Sequence, residues 1–511
     1  MSVPTTQSQA EIDAEHLRSL GYSQELQRTL GVFSNFAVAF SYISVSTGTF
    51  ALFALGISTG GPAFFWSWPI VAIGQLLVAL NFAQLASHYP VAGSIYQWSR
   101  RVASPASGWF IGWFYLGATL LTITAVAFTL PLTLSPIFGW ALTAGNEVKI
   151  ALAAIILTTL LNIAGVRILS IINNIGVAAE IVGMFVFALV LLIVGHHQSL
   201  GVLVNPAGTQ HTPGEGAGYL GTFLLAMFMS LFVIYGFDTA GSLGEETINP
   251  RRSAPRALLS AVLLSLFVGA LFLLAAILAI KNIPGIMSSA TPLPDIIKGA
   301  LGSGWGNIYL AVVSIAIFVC LLSIQAAAIR LVFSMSRDRR LPLSGLWASV
   351  NPLVGTPIAA AIVTAVIGAL PLIISQQIGV IASGATGLIY LAYTATNLVL
   401  LRARQNGWPR DEAPFTLGRW GMLINVLAVL WGLSMLVNFA WPRPLTNPAL
   451  SSAFTSLGKV PILGGAPMFE LSIAILLILG GIYWLAVQRH RSTAGAPAIP
   501  ETGDPMTIGG P

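Results

Sequence analysis

The charges in this chain lie far apart, and the distances between them limit what it can fold into. Seventy-one residues separate Arg28 from Arg100 without one formal charge, 45 separate Arg101 from Glu147, and 61 separate Arg340 from Arg402. Shorter neutral runs of 24 and 31 residues link Arg256 to Lys281 and Lys298 to Arg330. About 20 apolar residues in a helix cross a bilayer, so the longest runs hold two crossings and a turn, and the others hold one. Divided at turn signals such as Gly60-Gly61-Pro62 and Ser375-Gln376-Gln377, they predict twelve helices, near 30–57, 62–86, 105–134, 148–165, 170–195, 217–241, 257–280, 306–333, 356–374, 380–401, 420–440 and 467–487.

Composition closes the soluble alternatives. Only 8% of the 511 residues are charged, against about 25% in a soluble domain, so lipid is the solvent that accepts this surface. With the N-terminus in the cytoplasm, 18 of the 23 basic residues fall on the inner side, and Lys149, Lys281, Lys298, Arg443 and Lys459 fall outside. One fixed topology then satisfies the positive-inside rule in every loop. The net charge of +6 is thus a topology signal, and no nucleic-acid partner is expected. The expected protein is an all-α, multi-pass protein of the cell (plasma or inner) membrane with both termini cytoplasmic. The polar start, 1–29, reads as a cytoplasmic segment in which no cleavable signal peptide is expected, and the Ala/Gly/Pro-rich tail, 488–511, reads as a disordered cytoplasmic segment. A lone cysteine, Cys320, excludes a disulfide framework and a cysteine metal cage. No metal and no cofactor is expected.

Two predicted helices depart from plain Leu/Ile/Val/Ala. The first contains Ser41-Tyr42-Ile43-Ser44-Val45-Ser46-Thr47-Gly48-Thr49, with six hydroxyl residues and a glycine. The sixth contains Tyr235-Gly236-Phe237-Asp238-Thr239-Ala240-Gly241-Ser242. Glycine and clustered hydroxyls weaken a helix, and unwound backbone inside a membrane occurs only where it lines a cavity or is buried in protein. The plain alternative is small residues for close helix packing. Position favours the first reading: the breaks fall in the first and sixth helices, which run in opposite directions. Two oppositely oriented five-helix halves, 30–196 and 217–401, form an inverted repeat with a site near the bilayer midplane; helices eleven and twelve, 420–487, lie outside it. Half-helix N-termini suit a carboxylate and free carbonyls suit an ammonium. The expected protein is a secondary transporter of a small amino acid or amine.

A carboxylate at the centre of a membrane helix costs roughly 2.5–3.5 kcal/mol on insertion scales. Asp238 and Glu180 are the two deep candidates, as proton-coupling groups or, alternatively, as a structural brace and a packed neutral acid. Glu470 reads as interfacial and His88 as a loop residue. Ser323 reads as bonded within its own helix, and no convincing sodium site is apparent.

Three stretches resemble the amino acid–polyamine–organocation (APC) superfamily of permeases. Phe232-Val233-Ile234-Tyr235-Gly236-Phe237-Asp238, followed by Glu245-Glu246-Thr247-Ile248-Asn249-Pro250 and then Pro255 and Ala257, is similar to the family's aromatic-rich G-F-D/E segment with E-E-x-x-N-P-x-x-x-x-P-x-A. Pro90-Val91-Ala92-Gly93-Ser94-Ile95-Tyr96-Gln97-Trp98 is similar to P-x-A-G-x-x-Y-x-W. Ser44 to Gly48 stands at the family's break in helix one, and Leu20-Gly21-Tyr22 with Arg28 looks most like the amino acid/choline transporter branch. The resemblance spans about residues 20–487. It implies the five-plus-five fold with twelve helices and alternating access. It also implies that backbone around Ser44, Ser46, Thr47 and Gly48 meets a substrate carboxylate, and that Phe232, Val233, Ile234, Tyr235 and Gly236 meet its amine and side chain. Two features depart from the family: helix one lacks G-x-G, and helix five carries Glu180 but no lysine of the kind that stands in for sodium in some relatives.

Glu245 or Glu246, pairing with an arginine of the Arg251-Arg252/Arg256 connector, is expected to form an inner gate, or else that connector only sets topology. Tyr390 and Tyr393 would form an aromatic lid or simply pack. The expected function is transport of an amino acid, γ-aminobutyrate or choline-type solute, proton-coupled or by exchange. A substrate sensor or a passive channel is the alternative. No catalytic constellation is visible.

Overall fold

The computed structural model describes residues 8–209, 218–374, 378–441 and 468–489. Arg443, Lys459, Arg491, the Ser375-Gln376-Gln377 turn and the tail from 490 onward lie outside the described residues. Within them the structure is all-helical, and its β contacts are two isolated bridges, Leu30–Thr247 and Asn351–Thr356.

A short helix, α1 (Gln9–Ser19), opens on a capping box in which Ser8 and Glu11 satisfy each other's backbone N–H groups. It docks through Asp13, which accepts from the Asn249 N–H at 2.9 Å and pairs with Arg28 at 3.6 Å. Next in the chain come α2 (Val32–Ile43), α3 (Val45–Gly60), α4 (Ser67–His88), α5 (Ser94–Val102), α6 (Pro105–Ala127), α7 (Thr129–Phe138), α8 (Ala144–Ile163) and α9 (Val166–Val194). The start of α6 shows local sequence at work: Ser104 accepts from the Ser107 N–H at 3.1 Å while Pro105 fills the first helical position, where no N–H is needed.

After them come α10 (Tyr219–Ala226), α11 (Phe228–Val233), α12 (Thr239–Ser242), α13 (Pro250–Leu278), α14 (Ile283–Met287), α15 (Pro292–Arg337), α16 (Ser344–Trp347), α17 (Ile358–Ala369), α18 (Pro371–Ile374) and α19 (Ile378–Gln405). Two more helices, α20 (Gly421–Ala440) and α21 (Met468–Tyr483), complete the described chain.

Among the described residues ten segments are long and apolar enough to cross a membrane: Val32–Gly60, Pro62–His88, Pro105–Phe138, α8, α9, α13, α15, α19, Gly418–Ala440 and Phe469–Gln488. Two shorter apolar helices, Tyr219–Val233 and Ile358–Ile373, fall at the sixth and ninth predicted positions. The bundle is layered. In Val32–Gly60, 94% of the apolar window is buried, against 28% in α8 and 11% in Phe469–Gln488. Large apolar side chains such as Ile73, Ile175, Ile193 and Phe267 stand exposed around the outside, a surface that only lipid or another apolar partner would solvate.

Two local expectations change. The eighth helix was expected at 306–333, but α15 runs for 46 residues with Gly302 at φ +77° inside it. That glycine separates an arm, whose Lys298 ammonium donates to the Pro136 carbonyl at 2.5 Å, from the long central rod. His88 is the last helical residue of α4 rather than a loop residue. The Tyr89 N–H closes that turn on the Leu85 carbonyl at 2.8 Å, and the His88 ring packs 5.0 Å from Trp408.

Candidate functional site

The first helix breaks at one residue. Ser44 sits in the left-handed region at φ 32°, ψ 89°, between α2 and α3. Its N–H still reaches the Phe40 carbonyl at 2.8 Å, and its carbonyl already receives the Gly48 N–H at 3.1 Å. Unwinding is therefore narrower than expected: Ser46, Thr47 and Gly48 form the first turn of α3. Its N-terminal donors converge on Glu180 of α9, whose Oε1 accepts from Ser44 Oγ at 2.8 Å, Ser46 Oγ at 2.6 Å and the Ser46 N–H at 3.2 Å. A helix N-terminus favours negative charge, and here a side chain of the protein occupies it.

The second break is wider. Helix α11 ends at Val233, residues Ile234 to Asp238 are non-helical, and α12 restarts at Thr239. Gly236 has φ +89°, and a Cβ there would overlap the Tyr42 ring, so glycine is required on both counts.

The breaks face each other. Gly48 abuts Val233 so closely that an added Cβ would stand 2.7 Å from Val233 Cγ2. The Asn35 amide donates to the Ala240 carbonyl at 3.2 Å, and Tyr219 Oη donates to the Gly60 carbonyl at 2.9 Å. The contacts 35 with 240, 42 with 236, 48 with 233 and 60 with 219 run in opposite chain directions, so the two interrupted helices are antiparallel along their length. Tyr42 and Tyr235 meet edge to face at 6.2 Å, and Phe232 and Tyr235 do so at 5.8 Å.

Asp238 lies fully buried in the second break. Tyr115 Oη of α6 donates to its Oδ2 at 2.6 Å, Ser94 Oγ of α5 donates to the same oxygen at 2.7 Å, and Tyr393 Oη of α19 donates to Oδ1 at 2.5 Å. Tyr393 Oη in turn accepts the Gly236 N–H at 2.9 Å, so this side chain ties the acid to the loose backbone. Among the described residues no cation pairs with Asp238 or Glu180. Tyr390, one turn away, packs against Phe439 at 5.7 Å rather than beside Tyr393 on the acid. Ser323 also departs from expectation: it donates across to Asn173 of α9 at 2.6 Å, not within its own helix.

Below the breaks three buried ion pairs close one end of the bundle. Glu246 takes Arg330 at 2.9 Å, Glu245 takes Arg337 at 2.7 Å and the Ala92 N–H at 3.0 Å, and Asp338 takes Arg100 at 2.9 Å. The glutamates' partners come from α15 instead of the expected connector, whose Arg251 bonds the Ser87 and Glu412 carbonyls. Pro250 starts α13 immediately after the glutamate turn, which carries those arginines away from it. Tyr22 and Tyr96 add hydroxyl donors to Asp338 at 2.9 and 2.7 Å. Burial and the Asp338 charge push the Tyr22 hydroxyl above its ordinary range. The N-terminal segment crosses this layer: the Thr29 and Leu30 N–H groups bond the Glu246 carbonyl at 2.9 and 2.8 Å.

The three stretches that carry the family resemblance thus meet in space, with Ser94 on Asp238, Ala92 on Glu245 and the helix-one break against Val233 and Gly236. Sequence reading did not find Ser94, Tyr115, Arg330 or Arg337 as site members. Ser94 lay inside a quoted motif, and Arg330 ended a neutral run, but neither signal names a partner.

Comparison with known proteins agrees. The family described as "Amino acid permease" matches residues 30–465. A protein named "Amino-acid permease BAT1 homolog" from Oryza sativa subsp. japonica is 31% identical, covering 93% of this chain and 94% of its own length. "Amino-acid permease BAT1" of Arabidopsis thaliana is 29% identical over 93% and 95%. A "Choline transporter" of Saccharomyces cerevisiae is 26% identical over 84% and 77%. With ten segments among the described residues long and apolar enough to cross a membrane, two interrupted helices in contact and this match across most of its length, the chain belongs to the amino acid permease family of the APC superfamily, multi-pass membrane transporters rather than enzymes.

Proposed function

We propose that the protein is a secondary active transporter that moves a small amino acid or related amine by alternating access, with substrate held between the two helix breaks. Antiparallel contact of two interrupted helices, each with a buried carboxylate at its break and, among the described residues, no cation paired with it, carries the reading. Twelve crossings follow if Tyr219–Val233 is completed by the broken stretch through Ser242 and Ile358–Ile373 counts as the ninth. Spans one to five and six to ten then form the inverted repeat, with helices eleven and twelve outside it. The arginine-bearing end, with both termini, faces the cytoplasm of a cell (plasma or inner) membrane.

Proton and substrate meet at Glu180 in this scheme. While its carboxylate holds Ser44, Ser46 and the Ser46 N–H, that helix end is occupied. A proton on Glu180 removes the competing charge, and a substrate carboxylate then takes the same donors while the amine lies toward the Phe232–Gly236 backbone carbonyls. Asp238, braced by three hydroxyls, senses movement of α5, α6 and α19 and is the second candidate proton carrier. The ion pairs of Glu245 and Glu246 form the inner gate and part when that end opens.

Counterflow by purified protein in liposomes tests the proposal, with a panel of amino acids, γ-aminobutyrate, choline and polyamines at two pH values. Accumulation of a labelled member of the panel against unlabelled internal solute is the expected outcome. Flux that only follows the gradient, without counterflow, would make the protein a pore.

A further inference from the structure

A cavity of about 600 Å³ lies apart from the helix breaks at the arginine-bearing end. Its walls come from α1, the ends of α4, α5 and α19, and the first turn of α13. Three guanidiniums line it, Arg101, Arg251 and Arg410, against one carboxylate, Asp411. Among the described residues none of the three has a carboxylate within 4 Å; the four ion pairs there are elsewhere.

Arg100 and Arg337 each sit on an acid. Arg101, next in the chain, is held by the Leu20 carbonyl at 2.6 Å and by the rings of Tyr22 and Tyr89 at 5.4 and 5.8 Å, and its buried Nε has no partner. Arg251 is held by the Ser87 and Glu412 carbonyls at 3.3 and 2.6 Å. Carbonyls and rings fix a guanidinium's direction without neutralising it. Two imidazoles line the same recess, and the buried Nε2 atoms of His16 and His88 are both unpartnered. Burial and the Arg251 charge hold the His16 imidazole below its usual range, with Arg101 adding to the effect and a hydrogen bond to the His88 backbone and the Asp13 charge opposing it.

We infer that this cavity binds a phosphate group, carried either by an anionic lipid headgroup or by a soluble phosphate compound. Guanidiniums recognise phosphate oxygens by charge-assisted, often bidentate hydrogen bonds, and three of them line this cavity. The volume exceeds that of one phosphate and leaves room for what it is attached to.

Labelled pyrophosphate is the probe, offered to the full chain purified in dodecyl maltoside, a detergent without phosphate. Saturable binding is expected, weakened about tenfold or more by Arg251→Gln with Arg410→Gln and tightened by Asp411→Asn, which removes the opposing charge. Phosphatidylglycerol added to the micelles competes if the headgroup is the occupant and leaves binding unchanged if a soluble anion is; either result fits the inference. Absence of saturable binding overturns it. So does an Asp411→Asn protein of wild-type melting behaviour that binds no tighter, a readout that holds even where the double variant misfolds.

Discussion

At the scale of single residues, the two buried acids differ in what their surroundings ask of them. Glu180 serves one helix end through one oxygen, whereas Asp238 uses both oxygens on three hydroxyls. Amide variants keep the shape and remove the titration. Glu180→Gln and Asp238→Asn should both fold and insert, and the one that carries the coupled proton should show uptake that no longer varies with pH. Two variants with the full wild-type pH profile would leave proton coupling without a carrier among these residues. Tyr393→Phe is a different test. It removes a donor to Asp238 and also strands the Gly236 N–H, and an unpaired buried donor costs about 1–3 kcal/mol. A lower melting temperature with weaker substrate binding is expected, measured by thermal unfolding and by counterflow. Glycine at 48 makes a steric prediction: Gly48→Leu must displace Val233 or α3, overpacking typically costs about 1–3 kcal/mol, and uptake in liposomes should fall by about tenfold or more. Unchanged uptake would put the pocket elsewhere. Asp238 stands out in the sequence because a charge in an apolar run needs a reason. Its partners do not, since Tyr115 and Tyr393 lie 123 and 155 residues away and a tyrosine in a membrane helix carries no mark of what it touches.

At the scale of elements, the breaks and the ion pairs follow different logic. Hydroxyls and glycine mark where a helix is weak, so both interruptions are legible, but only roughly. Ser44 alone leaves the helical region because Ser46 and Thr47 bond to Glu180 and Ser44 in helical geometry, which propensity does not reveal. The glutamates after α12 are legible as a pair seeking arginines, yet proximity along the chain points to Arg251 and Arg252, while folding brings up Arg330 and Arg337 from 84 and 92 residues away. Removing one partner of a buried pair strands the other charge and costs about 3–5 kcal/mol, whereas an apolar replacement of both is often neutral. Glu246→Gln should therefore destabilise the purified protein by that amount, and Glu246→Leu with Arg330→Met should recover most of it, read as a double-mutant cycle in thermal unfolding. If the pair is also a gate, the double variant stays stable while transport fails or leaks. Wild-type counterflow in that variant would make the pair a brace only.

At the scale of the whole molecule, the charge distribution does what no single motif does. A polytopic chain is sorted by its loops, and lysines and arginines on one side resist translocation. The long neutral runs locate the spans well because lipid enforces a minimum apolar length. They miss the interior arrangement, because burial inside the bundle and exposure to lipid select the same residues. The central Val32–Gly60 and the peripheral Phe469–Gln488 are both apolar, though their windows are 94% and 11% buried. Sidedness is testable because Cys320 is the single cysteine and is buried, which leaves a nearly silent background for labelling. Lys281, Arg252 and Arg339 are exposed in the described structure. In intact cells an impermeant maleimide should label Lys281→Cys and leave Arg252→Cys and Arg339→Cys untouched, and inside-out vesicles should reverse the pattern. Arg252 lies in the first turn of α13 and Lys281 just past its other end, so labelling of both from one side would mean that α13 does not cross. Labelling of all three in the reverse sense would keep the span count and invert the protein, placing the Glu245 and Glu246 ion pairs at the outer mouth. The closed end would then be an outer gate, and the direction in which substrate first meets Glu180 would reverse with it.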